Sequence, residues 1–244
     1  WTPEQVEELL GEERAALLCT VLGITSPGNF EGGEESVPRR ATTLEGAAKS
    51  LGIEMEVAET WFSEGIDKME QHRSHRVAPK RDPKVVLGWN ALAISALARG
   101  AALLDEPVFR EAAVGAYASL KGSLVNDDGF LRRRDGEIAG NPATLQDAAL
   151  WMKCCLDLYE ATFRPDFVAE AARSWQLILR DFGPLEQGEG LYEAPAGAEI
   201  LLGRRIEFFD GAIPSGNATV ARCLLRLHEL TGEGQYRFHA DHII

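Results

Sequence analysis

Three stretches of the chain repeat one arrangement: a helix apolar on every side, a short turn, a helix with one apolar face, then a long polar loop. The all-apolar members span about Lys84–Leu104, Thr144–Phe163 and Ser215–Thr231, and their striped partners about Val108–Leu124, Asp166–Phe182 and Gly234 to the end. A helix apolar all round has to be enclosed by other helices, whereas a striped one can face water. The alternation predicts an inner helix followed by an outer one, three times over, which is the two-layered plan of an (α/α) toroid.

The links between these helices fall into two classes. Inner-to-outer links are tight (Asp105-Glu106-Pro107, Arg164-Pro165, Gly232-Glu233), and outer-to-inner links are long, about residues 125–143 and 183–214. Antiparallel hairpins therefore gather the long loops at the end where inner helices begin. Loops on a rigid scaffold are where function usually resides, and helix starts add unpaired N–H groups and partial positive charge. Within the loops, Asp128-Gly129-Phe130-Leu131, Glu189-Gly190-Leu191-Tyr192 and the weaker Gly28-Asn29-Phe30-Glu31 share a turn-and-strand character, and short β-hairpins are expected at Arg132–Arg134 and Ile200–Arg205.

Upstream, Thr2 as N-cap and Pro3 at the first position open a helical stretch over residues 3–22 that Gly11 divides. Loop follows over 26–42, then a short helix at Leu44–Leu51 closed by Gly52, and a longer one from about Glu56 to His75. We divide the chain into a lead-in of helices and loop, residues 1–55, belonging to the same domain, and toroid hairpins over 56–244 that are truncated at the C-terminus. The first residue is Trp1 and the last, Ile244, lies inside a predicted helix, so the sequence is expected to be a piece of a longer protein. The inner helices at the ends of a three-hairpin arc are expected to expose apolar flanks.

The 244 residues are 45% hydrophobic, enough for a substantial core, and carry a net charge of −13. Such a surface repels phosphate backbones and anionic lipid, so nucleic acid and membrane partners are not expected. The longest apolar run, Val85 to Leu104, is interrupted by Asn90, Ser95 and Arg99. Four cysteines (Cys19, Cys154, Cys155, Cys223) form neither a CxxC pair nor a disulfide framework, which points to a reducing, cytoplasmic setting. His72 and His75 share a helix face but have no third ligand nearby, and as cations they complement a helix C-terminus; no metal and no cofactor is expected. There is no GxxxxGK[ST], no GxSxG and no zinc spacing.

Polar residues cluster at each inner-helix start: Arg76, Arg81, Asp82, Lys84, Trp89 and Asn90 at the first, Asn141, Gln146 and Asp147 at the second, Asp210, Ser215 and Asn217 at the third. If those ends converge, Asp82, Asp147 and Asp210 face one cavity as candidate catalytic carboxylates. Two carboxylates are the minimum for glycoside hydrolysis, and an acid and base on opposite faces of a sugar carbon support epimerisation or isomerisation. Arg76, Lys84, Trp89, Asn90, Ser215 and Asn217 are the candidate substrate contacts. Each also has an ordinary structural role. Asp82, Gln146 and Ser215 sit where caps sit, Asp147 lies in a first turn, Asn90 can satisfy a loop carbonyl, and Trp89 and Trp151 can be core.

Several runs resemble one family: Arg76-x-x-Pro79-x-x-Asp82-x-Lys84 with Trp89-Asn90, Asp157-Leu158-Tyr159-Glu160-Ala161-Thr162-Phe163, Gly28-Asn29-Phe30-Glu31-Gly32, and above all Asp210-Gly211-Ala212-Ile213-Pro214-Ser215-Gly216-Asn217. The sequence is similar to the spermatogenesis-associated, thioredoxin-domain-containing proteins. The resemblance implies a thioredoxin-like domain ahead of an (α/α)6 toroid of the six-hairpin glycosidase type, with this chain in the toroid region. It implies a carbohydrate ligand and, as partner, the thioredoxin-like domain of the same parent chain; it fixes no reaction. Two departures stand out: Asp82-Pro83-Lys84 replaces the family's Asp-Asp-Lys, and Asp147-Ala148-Ala149 its Asp-Tyr-Ala. A lost carboxylate and a lost tyrosine hydroxyl count against activity, so a non-catalytic scaffold or sugar-binding domain is the alternative to a hydrolase or epimerase.

Overall fold

A computed structural model describes residues 1–136, 138–183, 190–198 and 203–243. The chain forms two compact units, Trp1–Arg81 and Asp82–Ile244. The sequence pattern divides it at 55/56 instead. The difference lies in the long fourth helix, which packs on the three before it.

In the first unit, α1 (Pro3–Leu10) opens with a capping box in which Thr2 and Gln5 exchange side-chain and backbone hydrogen bonds, with Pro3 at the first position. Gly11, at φ 82°, ends α1 and turns the chain into α2 (Glu12–Leu22). Thr43 caps α3 (Leu44–Leu51), which ends on left-handed Gly52, and α4 runs Met55–Ser74. Val6, Leu18 and Met69 fill one small core; Leu17, Val21, Ala47 and Ala58 fill another. Gly65 lets α4 press on α2, since a Cβ there would lie 2.6 Å from Leu18 Cδ2.

The second unit carries the repeated hairpins: α5 (Leu87–Leu104) with α6 (Pro107–Leu120), α7 (Leu145–Thr162) with α8 (Pro165–Phe182), and α9 (Gly216–Thr231) with α10 (Gly234–Ile243). Helices α5, α7 and α9 form one row, and each carries its own partner on the other side. The inner-and-outer expectation holds. Central α7 is the most enclosed: Trp151 is fully buried, stacked 4.8 Å from Tyr117 of α6, whose ring also meets Phe167 of α8 edge-on. By contrast α5, at the end of the row, buries only the face bearing Leu87, Ala91, Ile94, Ala98 and Ala101 and leaves Trp89, Leu103 and Leu104 exposed. It is long and apolar enough to cross a membrane by length and composition (mean hydropathy 1.3 over 18 residues), yet it is the principal packing partner of α7.

Three strands decorate the long loop before α7, β2 (Val125–Asn126), β3 (Gly129–Asp135) and β4 (Ile138–Pro142), and β1 (Val85–Val86), just ahead of α5, joins them, with β3 antiparallel to the other three. The expected hairpin at Arg132–Arg134 is present as β3–β4. Helix α5 begins at Leu87 rather than Lys84 because Val85 and Val86 are claimed by β3, opposite Arg134 and Arg133; β-branched residues suit that extended backbone. Of the second expected hairpin, residues 200–202 lie outside the described residues; beside them Tyr192 and Ile206 form an isolated antiparallel bridge.

Candidate functional site

The three inner helices start against one another. A Cβ on Gly88, at the start of α5, would sit 2.6 Å from Asp147 Oδ1 of α7. A Cβ on Gly216, at the start of α9, would sit 2.7 Å from Leu145 Cγ and 3.0 Å from the Gln146 nitrogen. Gln146 Nε2 also donates to the Pro214 carbonyl at 2.9 Å. Glycine, lacking Cβ, is what permits these approaches. Three helix N-termini, each with partial positive charge, therefore meet around Asp147.

Asp147 is buried and closes the cap of α7. Its Oδ2 accepts from the Thr144 backbone N–H (3.1 Å) and hydroxyl (3.0 Å), while its own N–H donates to the Thr144 hydroxyl. Arg132 of β3 lies 3.8 Å from the same oxygen. Glu193 is a second carboxylate here. Its carbonyl accepts from Leu145 N–H at 2.9 Å. Burial pushes its carboxyl above the ordinary value, hydrogen bonds from Thr144 and the Gln146 N–H pull it back, and the charge of Asp147 pushes it up again.

Asp82 and Lys84 precede β1 and form an exposed ion pair of 3.0 Å. The Lys84 side chain and N–H, both donating to the Asp82 carboxyl, lower its pKa, and Arg133 adds to this. Strand β3 thus presents Arg133 toward Asp82 and Arg132 toward Asp147. Trp89 is 67% exposed. Asn90 Nδ2 donates to the Val86 carbonyl at 2.8 Å.

At α9, Ser215 is the N-cap, accepting from Ala218 N–H at 3.2 Å, and Asp210 Oδ1 accepts from Ser215 N–H at 2.8 Å. Asn217 is buried with every amide position engaged: Oδ1 accepts from Leu191 N–H (2.7 Å), and Nδ2 donates to the carbonyls of Leu191 and Glu207 (3.0 Å each). It fastens the segment that carries Glu193. Arg204 helps, donating to the carbonyls of Asp181, Gly183 and Ala194 while lying 4.2 Å over the Tyr192 ring. Arg76 belongs to the first unit, where its guanidinium lies 4.1 Å over Trp1.

The sequence reading missed Glu193, Arg132 and Arg133 as site residues. Their signals were present: three successive arginines on an expected hairpin, and a Glu directly after the recurring Gly-Leu-Tyr element. Among the described residues no group of three or more His, Cys, Asp or Glu is suited to a metal ion. Cys155 and Cys223 are poor nucleophiles, since burial pushes the Cys223 thiol up to about 12 and Cys155 well above the ordinary value.

A row of inner helices backed by outer partners, with loops at the inner starts, is the plan of an (α/α) toroid, of which this row is three hairpins, and solved structures agree. A GH76 α-mannanase of Bacteroides thetaiotaomicron superposes with TM-score 0.54 at 14% identity, covering 76% of this chain and 54% of that one. A D-mannose isomerase gives TM-score 0.54 at 14% identity over 98% and 68%. An inactive α-1,6-mannanase of Salegentibacter, solved with α-1,6-mannotriose, gives 0.51 at 15% over 98% and 68%. In sequence the chain is similar to spermatogenesis-associated protein 20: 30% identical to the mouse protein and 31% to the human one, each over 95% of this chain. An uncharacterised protein of Caenorhabditis elegans is 27% identical over 99%. The chain spans about a third of the length of these relatives (33% to 36%). No family model matches it.

Proposed function

We propose that the Asp82–Ile244 unit handles a carbohydrate at the mouth where α5, α7 and α9 begin. The observation that carries this is the convergence of three helix starts on Asp147, with Glu193 a second carboxylate beside it. Asp82, Asp147 and Asp210 are the proposed reactive carboxylates. Glu193 joins them as the acid, because a carboxyl inclined to hold its proton is what protonation of a glycosidic or ring oxygen requires. Exposed Trp89 offers a stacking face, Lys84 and Asn90 flank it as polar contacts, and Ser215 and Asn217 shape the α9 side. The mannose-directed neighbours are consistent with hydrolysis or isomerisation of a mannose-type sugar. The second reading, a non-catalytic scaffold for a thioredoxin-like domain of the parent chain, draws on a specific observation: Asp147 and Asp210 both serve helix caps.

Calorimetric titration of the full chain with D-mannose and α-1,6-mannotriose tests the proposal. Binding is expected, weakened about tenfold by Trp89→Ala with the melting temperature unchanged, as stacking energies imply. No heat with either sugar would overturn the carbohydrate reading in favour of the scaffold.

A further inference from the structure

A small pocket of about 160 Å³ lies along α9, with Asp210 and Pro214 at one end and Lys153, Arg222 and Arg226 around the other. Its volume is well below the roughly 300–1,000 Å³ of drug-sized ligand sites, so it suits one sugar ring rather than an oligosaccharide. The basic groups come from two helices: Lys153 from α7, and Arg222 and Arg226 from successive turns of α9. Buried Asp157 holds two of them, accepting from Lys153 at 2.5 Å and from one terminal nitrogen of Arg226 at 2.9 Å, and Glu160 accepts from the other terminal nitrogen at 2.6 Å, so both cations keep uncommitted N–H donors. These contacts fix both cations in place. Arg222 has no ion-pair or hydrogen-bond partner among the described residues, although it lines the pocket. Asp210 commits Oδ1 to the Ser215 N–H, leaving Oδ2 as a hydroxyl acceptor.

A free guanidinium beside two immobilised cations forms a three-point cradle, and the group that uses three convergent donors is a tetrahedral phosphate. We propose that this pocket binds a phosphorylated monosaccharide, its phosphate on Arg222, Lys153 and Arg226 and a ring hydroxyl on Asp210. The inference rests on the carbohydrate reading above and narrows its substrate class to a sugar phosphate.

The full chain is titrated with mannose 6-phosphate, D-mannose, α-1,6-mannotriose and inorganic phosphate, and the first titration is repeated on Arg222→Gln. Mannose 6-phosphate is expected to bind more tightly than D-mannose and than inorganic phosphate. Arg222→Gln should weaken it about tenfold or more, the scale of one charge-assisted hydrogen bond, with no change in melting temperature. Binding of α-1,6-mannotriose without mannose 6-phosphate overturns this inference and leaves the carbohydrate reading standing. Equal affinity for mannose 6-phosphate and inorganic phosphate also overturns it, as does an Arg222→Gln variant that binds like the parent. Silence from all three sugars overturns both.

Discussion

Substituting Gly216 by alanine tests whether the helix starts are as close as the fold requires. The new methyl would meet Leu145 Cγ at 2.7 Å, the Gln146 nitrogen at 3.0 Å and the Leu145 carbonyl carbon at 3.1 Å. Two of these are backbone atoms of α7 and the third is a branch point, so no flexible side-chain tip can swing away. Overpacking of this kind costs about 1–3 kcal/mol. The alanine recovers at most about 1 kcal/mol by restricting the unfolded chain. The net expectation is a loss of about 1–2 kcal/mol. Gly115, inside α6 with nothing within 4 Å of its would-be Cβ, is the control of opposite sign, expected to gain up to about 1 kcal/mol. Urea unfolding followed by tryptophan fluorescence measures both, the midpoint moving down for Gly216→Ala and up for Gly115→Ala at constant slope. A Gly216→Ala protein as stable as the parent would refute the convergence of α7 and α9.

Asn217→Ala strands the Leu191 N–H and two carbonyls in a buried place, so a loss of about 3 kcal/mol in urea unfolding is expected. Glu170 is buried; burial alone raises its carboxyl, but Arg173 and Lys121 donate to it and hold it below 4.5. Its stabilisation is therefore complete above the unfolded value and lost as pH falls through the depressed one, so Glu170→Gln should flatten the acid limb of stability against pH. Glu193 has the opposite sign: its raised value means stability falls as pH rises from 4.5 through the folded value, and Glu193→Gln should remove that decline. Asp82→Asn and Asp210→Asn should abolish turnover of any responsive sugar without moving the unfolding midpoint; unfolding in their place would mark these residues as structural.

Most of the helical framework was legible because helix periodicity and punctuation are local. Thr2, Gly11, Gly52, Thr144 and Gly232 mark ends that the structure reproduces within a residue or so. Strand β1 was not legible: Val85-Val86 continues an apolar helical run, and only its pairing with residues 133 and 134, far along the chain, makes it extended. Half-exposed α5 was expected from its place at the end of an arc. Site residues were harder to read for a related reason. Glu193 reaches α7 because residues distant in sequence, Asn217 and Arg204 among them, tie down its loop, and no local pattern encodes those ties.

Two of the three aspartates a sequence marks as catalytic here, Asp147 and Asp210, are also ones the architecture uses at caps, and the two roles have one origin. Converging helix starts concentrate unpaired N–H groups, and carboxylates are drawn to them whether or not a substrate is bound. Position alone therefore cannot separate the roles, but charge can. Asparagine caps a helix about as well as aspartate, since the cap needs an accepting oxygen, whereas acid–base chemistry needs the titrating proton. Asp210 keeps one oxygen clear of its cap, and Asp82 is tied to no helix start at all; both can lose their charge without disturbing α5 or α9. Asp147 cannot be tested as cleanly, because Thr144, Arg132 and the Gly88 approach all bear on its carboxyl. The proposed reaction at this mouth is therefore tested most cleanly at the two aspartates the fold uses least, Asp82 and Asp210.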